Sequence, residues 1–526
     1  MQNKVLVVGA GGAGLVAAIH AHDNGSEVII FTKDYPTRSQ TSMAQGGINA
    51  VLKHSCNDSV DDHIANTLKS AHGIADEEQI RKLCSEAPES VEWLDNIGVQ
   101  FSRTKEGKIA HRRLGGASGD RACYAQDYTG LKMLHTLYDQ VLSRNIEIKN
   151  ERFLLDILLD EDKNACGVSV LNKRDSEVEN YYGSSVILAT GGYARIYNKH
   201  STNAVGSSGD GIACAIRAGA RVSDMEFVQF HPTALKNSSI LISESARGAG
   251  GHLLNSKGER FVDELKPRDE VARAIHNEMN KGEDIFLDIR HLGEAFIDAE
   301  LPQERKLAKL YEDVDPVVDL IPIKPVAHYT MGGIEVDQNS QTIVKGLFAC
   351  GECANHRVHG ANRLGGNSLL ELVVFGREAG LSASNHAKKT KEYEQTNHKQ
   401  TNDLLTQIKT FANELNFYEI REALGDLFYE KVGISREKKS LQESLTQVES
   451  YLSRLDLMGV SDGSKVYNTN LIEFLEFKNM LELSALVLKG ALSRQESRGA
   501  HYRSDFCDED KAFAKHTIVD INGVVE

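Results

Sequence analysis

The sequence predicts an α/β fold that opens on a strand–turn–helix–strand unit and ends in a largely helical region. Three observations carry this. Val5-Leu-Val-Val8 is a continuous apolar run, as expected of a strand buried on both faces. Gly9-Ala10-Gly11-Gly12-Ala13-Gly14 follows at once and leads into the helical run Leu15–His22, after which Glu27–Phe31 reads as a second strand. Far along the chain, Tyr451–Leu457 and Leu471–Leu488 repeat apolar residues at helical spacing, and both read as packing rather than as a cofactor box.

Each early element has a chemical reason. Glycines after a strand let the backbone turn tightly and approach a pyrophosphate, whose charge then rests on the helix N-terminus. Gly9, Gly11, Gly12, Ala13 and Gly14 therefore read as a dinucleotide cradle. The second strand ends in Phe31-Thr32-Lys33, without the acidic residue that would hold the ribose of NAD. A hydroxyl and a lysine, Thr32 and Lys33, suit the adenosine end of FAD better. The polar loop from Pro36 to Asn49 carries Ser39, Gln40, Thr41, Gln45, Gly46 and Gly47, and its glycine pair can approach a flat ring closely. Ala189-Thr190-Gly191-Gly192 follows a predicted strand at Ser185–Leu188, and Gly209-Asp210-Gly211 precedes another predicted helix. These segments are expected to line one extended cofactor.

Composition removes several function classes. The 526 residues hold 60 basic and 75 acidic side chains, a net charge of −15. That balance excludes an extended nucleic-acid groove, which needs a basic stripe. Hydrophobic residues are 41% and charged ones 26%, the balance of a globular chain rather than a disordered one. No apolar run reaches the ~18 residues of a membrane span. No secretory leader is read at the N-terminus, so a cytoplasmic protein is expected. The eight cysteines are scattered. Cys350-Gly-Glu-Cys353 is a lone CxxC pair and reads as small residues at a strand end, so no metal site is expected. Iron–sulfur clusters, if electrons pass through this protein, belong on another chain, and no CxxCH is present for a fused c-type heme.

Further motifs stand in order along the chain. They are Arg112–Gly130, Phe227-Val-Gln-Phe-His-Pro-Thr233, Glu244-Ser-Ala-Arg247-Gly, Pro267-Arg268-Asp269, Ala327-His328-Tyr-Thr-Met-Gly-Gly333 and Gly351-Glu352. His359-Gly-Ala-Asn-Arg363-Leu-Gly, Asn367-Ser368-Leu369, Tyr467-Asn-Thr-Asn470 and Glu496-Ser-Arg-Gly-Ala-His501 complete the series. With these motifs the chain resembles, nearly end to end, the flavoprotein subunits of fumarate reductase and succinate dehydrogenase. The resemblance implies a Rossmann-type FAD-binding domain in two parts, 1–222 and 331–383, with an inserted α+β capping domain at 223–330. A helical domain at 384–490 and a short C-terminal segment at 491–526 follow. The polar stretch His386–Asn402 reads as a solvated linker or helix edge opening the helical domain.

The same resemblance implies roles. Fumarate is a flat dianion, and reducing it adds hydride, from flavin N5, to one alkene carbon and a proton to the other. Arg363 suits a carboxylate through its two-pronged guanidinium. His231, His328 and Ser243 are the other implied substrate donors, with Ser243 standing where Thr is usual. Arg268 is the implied proton donor, fed by Glu244 and Arg247. Taken singly, either histidine suits a structural role and Arg268 a surface ion pair; the ordered set points to chemistry. Glu352, Ser368 and Leu369 join the implied FAD contacts.

Three departures modify these expectations. Gln40 stands where membrane-complex members carry the histidine bonded to flavin, so FAD is expected to be non-covalent and better suited to reducing fumarate than to oxidising succinate. Leu114 stands where an aromatic residue is usual. The stretch after the Arg-Gly-Ala-His motif is shorter than in respiratory members, which bears on docking of an iron–sulfur subunit, the expected electron donor. Through such a partner the chain is placed at the inner membrane face. L-Aspartate oxidase, which forms iminoaspartate, is the alternative. Phe230-His-Pro-Thr-Ala-Leu235 and Ala272-Arg-Ala-Ile275 suit it, whereas Met331-Gly-Gly and Val373-Val-Phe-Gly-Arg suit the fumarate reductase branch. A flavin-binding protein without turnover is a third reading, opposed by the intact set His231, Arg268, His328 and Arg363.

Overall fold

A computed structural model describes residues 3–55, 57–390, 405–521 and 523–524. Five parallel strands form the first sheet, in the order Leu347–Ala349, Ser185–Leu188, Lys4–Val8, Glu27–Thr32, Glu147–Asn150. Lys4–Val8 is central, and Val5 to Val8 are buried, which explains why its sequence is apolar without alternation. The helix Gly12–Asp23 follows it directly. Two glycines make this turn possible. Gly9 has φ +110°, and a Cβ there would lie 2.1 Å from the Ala189 carbonyl oxygen. A Cβ on Gly14 would lie 2.0 Å from the Gly9 oxygen, so Gly14 allows helix and strand to pack closely.

One face of the sheet is covered by Gly12–Asp23, Thr129–Ser143 and the long helix Asn367–Ala387, which share one apolar core. The other face continues through the antiparallel sheet Arg152–Leu159, Ala165–Asn172, Val178–Tyr182 into the helical region. Leu471 to Leu488 lie in the helix Thr469–Ser493, and its buried leucines and phenylalanines belong to that same core. The helical region is therefore welded to the flavin-binding unit by shared burial. Tyr451–Leu457 is not one helix: Lys438–Leu452 ends at Leu452, and Leu455–Leu457 forms a separate 3₁₀ turn. Its apolar side chains do pack against the core. Of the polar stretch His386–Asn402, His386 and Ala387 close the helix Asn367–Ala387, and 391–402 lies outside the described residues.

The inserted unit has its own core of Leu235, Ile242, Leu253, Val271, Ile275 and Leu287 among others. Its antiparallel sheet runs Val228–Leu235, Ile321–Thr330, Ile285–Asp288, His252–Asn255, with the helix Arg268–Asn280 packed against it. The C-terminal segment does not stand apart. Ile518–Asp520 pairs antiparallel with Val222–Ser223, so the last residues knit into the sheet where the inserted unit begins. Among the described residues, no helix is long and apolar enough to cross a membrane.

Candidate active site

One long cleft runs from the Gly9–Ala13 turn to the junction with the inserted unit. It is lined by the cofactor, substrate and proton-donor residues that the sequence singles out, except Gly14, Gly192, Gly209, Gly211 and Arg247. Gly14 is a packing position, as its contact with Gly9 shows. Arg247 lies fully buried behind Glu244.

At the nucleotide end, Gly9, Gly11, Gly12, Ala13 and Thr32 form the wall. Lys33 lines it too, but its ammonium is not a free donor. It is bonded to the Gly206 carbonyl, Ser208 Oγ, Asp210 Oδ2 and Glu476 Oε1 at 2.7–3.1 Å. Lys33 therefore also ties Asp210 and the helix Thr469–Ser493 to the wall of the cleft. Burial alone would lower its pKa, but Asp210 and Glu476 raise it.

The cleft is also lined by the loop residues Ser39, Gln40, Thr41, Gln45, Gly46 and Gly47 and by Ala189, Thr190, Gly191, Ser368 and Leu369. Thr41 Oγ1 accepts from the Gly12 N–H at 3.0 Å, tying loop to helix. Gln40 Oε1 accepts from the Ala204 N–H at 2.7 Å. Ser39 Oγ and Gln45 Oε1 are buried with no protein partner. Orphaned buried polar atoms are costly, so these fit a polar ligand. Glu352 Oε1 accepts from the Thr330 N–H at 3.0 Å and its hydroxyl at 3.2 Å, and burial pushes its carboxyl up to about 7. Cys350 and Cys353 are free and buried, and burial raises both thiols, so neither is a thiolate.

At the far end the chamber is built by both units. His231 and Gln229 lie two residues apart on Val228–Leu235, and His328 lies on the paired strand Ile321–Thr330. Ser243 caps the short helix Glu244–Gly248 through Ser245 N, and Arg268 opens the helix Arg268–Asn280. Arg363 arrives from the flavin-binding unit. The two imidazoles are 4.9 Å apart. Burial, followed by the positive charge of Arg268, holds both well below the ordinary histidine pKa, so both are neutral. His231 Nδ1 lies 3.2 Å from the Thr233 N–H and 3.3 Å from the Thr233 carbonyl oxygen, contacts that fix the ring's position. Thr202 Oγ1 lies 2.8 Å from His328 Nδ1 and fixes that ring.

Arg268 Nε donates to Glu244 Oε2 at 3.0 Å, with a second, shorter bond from Nη2 to the same oxygen. Arg247 Nη2 lies 3.5 Å from Glu244 Oε1. Burial alone would raise Glu244, but Arg268 and then Arg247 hold it below the ordinary glutamate value. Arg268 is hydrogen-bonded to Glu244 at the cleft, and Arg247 stands behind Glu244 as an ion pair rather than a hydrogen bond. Arg363 stacks 4.3 Å from the Tyr329 ring centre, and its Nε is buried without a partner. Burial and the nearby Arg268 push its pKa down to about 10. Such a chamber, with two guanidiniums and two neutral imidazoles, is built to take anionic oxygens.

Comparison with known proteins agrees. An FAD binding domain model matches residues 4–369, and a fumarate reductase flavoprotein C-terminal model matches 421–525. The 8-methylmenaquinol:fumarate reductase flavoprotein subunit of Wolinella succinogenes is 39% identical over 99% of this chain and 89% of its own length. The chain belongs to the fumarate reductase and succinate dehydrogenase flavoprotein family. Another relative, the succinate dehydrogenase flavoprotein subunit of Rickettsia bellii, is 37% identical over 98% of this chain and 92% of its own. A solved quinol–fumarate reductase with menaquinol superposes with a TM-score of 0.95 at 36% identity, covering 99% of this chain and 96% of that one. As a member of this flavoprotein family the protein is an FAD-dependent oxidoreductase, and the family's fold accounts for the cleft. Gln229, Thr202 and Tyr329 were missed as site residues by sequence reasoning. Gln229 and Tyr329 sit inside motifs that were noticed, and the two-residue spacing of Gln229 and His231 on a strand was the available signal. Thr202 lies in a loop with no such signal.

Proposed function

We propose that the protein reduces fumarate to succinate, with Arg268 delivering the proton. The single observation that supports this best is the Arg268–Glu244–Arg247 cluster beside His231, His328 and Arg363. Bound reduced FAD supplies the hydride. Arg363 takes one carboxylate with its guanidinium. The neutral His231 and His328 and the Ser243 hydroxyl donate to the other, drawing charge away from the alkene without adding a further cation. As a carbanion develops next to a carboxylate, Arg268 gives up a proton, and Glu244 with Arg247 behind it returns one, so a neutral guanidine does not accumulate.

FAD is held without a covalent bond in this reading. Gln40 presents a carboxamide, which lacks a nucleophilic ring nitrogen, and its oxygen is tied to Ala204. The relatives are named as subunits, which supports an iron–sulfur subunit as electron donor and a peripheral place at the inner membrane face. Acid precipitation of the purified protein should leave yellow flavin in solution, and fumarate should oxidise reduced viologen in its presence. L-Aspartate oxidase is the competing reading. Its substrate ammonium needs a free carboxylate, whereas Glu244 is engaged by Arg268. Aspartate-dependent peroxide formation without viologen oxidation by fumarate would reverse the choice.

A further inference from the structure

The inserted unit meets the flavin-binding unit at two carboxyl groups. Asp127 lies just before the helix Thr129–Ser143, and Glu304 lies in the first turn of the inserted unit's helix Pro302–Glu312. Both are fully buried, at 0% exposure. Asp127 Oδ2 accepts from the Gln303 N–H at 2.6 Å, so a flavin-unit carboxylate caps a helix of the cap. Next to it, Gln126 Nε2 donates to the Ala299 carbonyl at 3.2 Å. On the other side, Glu304 Oε1 accepts from the Ser243 N–H at 3.2 Å.

The leftover oxygens, Asp127 Oδ1 and Glu304 Oε2, are both buried without a protein donor, and the nearness of the Asp127 carboxyl is one of the causes that raise Glu304. Two carboxyl groups can bond directly only through a proton held between them. Burial first, and the Asp127 carboxyl second, raise the Glu304 pKa well above its ordinary value. The charged and titratable neighbours do not supply a substitute. Arg112 faces the pair, but it donates to the Gly46, Gln45 and Gln126 carbonyls at 2.8–2.9 Å. Tyr128 also faces it, and its phenol is raised by burial and by both acids. On the cap side, Arg305 turns to Asp315, Asp298 and Glu294.

We propose that Asp127 and Glu304 are positioning residues that share one proton across the cap boundary, and that this proton keeps Ser243 and the cap in place over the substrate chamber. The inference rests on the reading of Ser243 as a substrate donor. Its sign follows from the raised pKa: the bond is intact at low pH and is lost as pH rises through that pKa, when two buried anions repel. Substrate affinity should then fall.

Glu304→Gln tests this, because the amide accepts from Ser243 and donates to Asp127 without needing a proton. Asp127→Asn does the same from the other side. As pH is raised through the Glu304 titration, the wild-type KM for fumarate should rise, while KM of either variant stays flat. The thermal midpoint of the holoprotein should fall with pH in the wild type and not in E304Q. Parallel pH profiles in wild type and both variants, for KM and midpoint alike, overturn the shared proton. Absence of any fumarate turnover in the wild type would instead count against the proposed reaction, and the midpoint profiles would still decide the proton.

Discussion

Arg268 and Arg363 share one acceptor: Gln229 Oε1 receives Arg268 Nη1 at 3.0 Å and Arg363 Nη2 at 3.1 Å. The carboxamide cannot flip, because Nε2 donates to Asn362 Oδ1 at 2.7 Å and to the Arg363 carbonyl at 2.8 Å. A residue of the inserted unit thus sets the spacing between the proton donor and the carboxylate clamp. Gln229→Leu should leave both guanidiniums misplaced and reduce fumarate turnover by about 10²-fold, in line with misplacement by about 1 Å. Steady-state kinetics with reduced viologen measure it, and an unchanged flavin spectrum shows that the cofactor site survived.

Arg268→Lys separates charge from position. Lysine keeps the positive charge but cannot reach Glu244 and Gln229 together with a fork geometry. FAD should remain bound, and turnover should drop by at least about 10²–10³-fold. If the variant keeps near-normal activity, the proton comes from elsewhere.

Lys33 bridges Asp210 Oδ2 and Glu476 Oε1, each 2.7 Å away. Lys33→Met leaves two buried carboxylates facing each other, a change worth about 3–5 kcal/mol of destabilisation. Because Asp210 lines the cleft, flavin retention should fall as well. Thermal unfolding and gel filtration with flavin absorbance read the two effects separately.

The flavin-binding half was legible because its chemistry is local. Gly9 to Gly14 and the apolar run before them are contiguous, and the turn they form is dictated by glycine and strand propensity alone. The chamber was legible as a set of residue types in order, but not as geometry. Gln229 reads as an ordinary polar residue until the strand Val228–Leu235 is set against Arg363, which lies 134 residues further along the chain. The partners of Lys33, Asp210 and Glu476, are remote in sequence, and only folding brings them to its ammonium. The same limit explains Tyr451–Leu457, where apolar spacing continues across a helix end.

Buried neutral histidines make the protein acid-sensitive. Burial pushes His63 down to about 4, and burial likewise holds His231, His328 and His501 well below their ordinary value. A depressed histidine contributes stability that is present above its unfolded pKa of about 6.5 and is lost as pH falls toward the folded value. For His63 alone the full loss is about 3 kcal/mol, taking about 1.4 kcal/mol per pH unit between 6.5 and about 4. Its Nε2 lies 2.9 Å from Asn367 Oδ1, at the first residue of the long helix beside the cleft. Glutamine can donate to the same oxygen without titrating. His63→Gln should therefore lower the midpoint slightly at neutral pH but flatten its decline between about pH 6.5 and about pH 4. A decline as steep as that of the wild type would place the acid sensitivity in the other histidines.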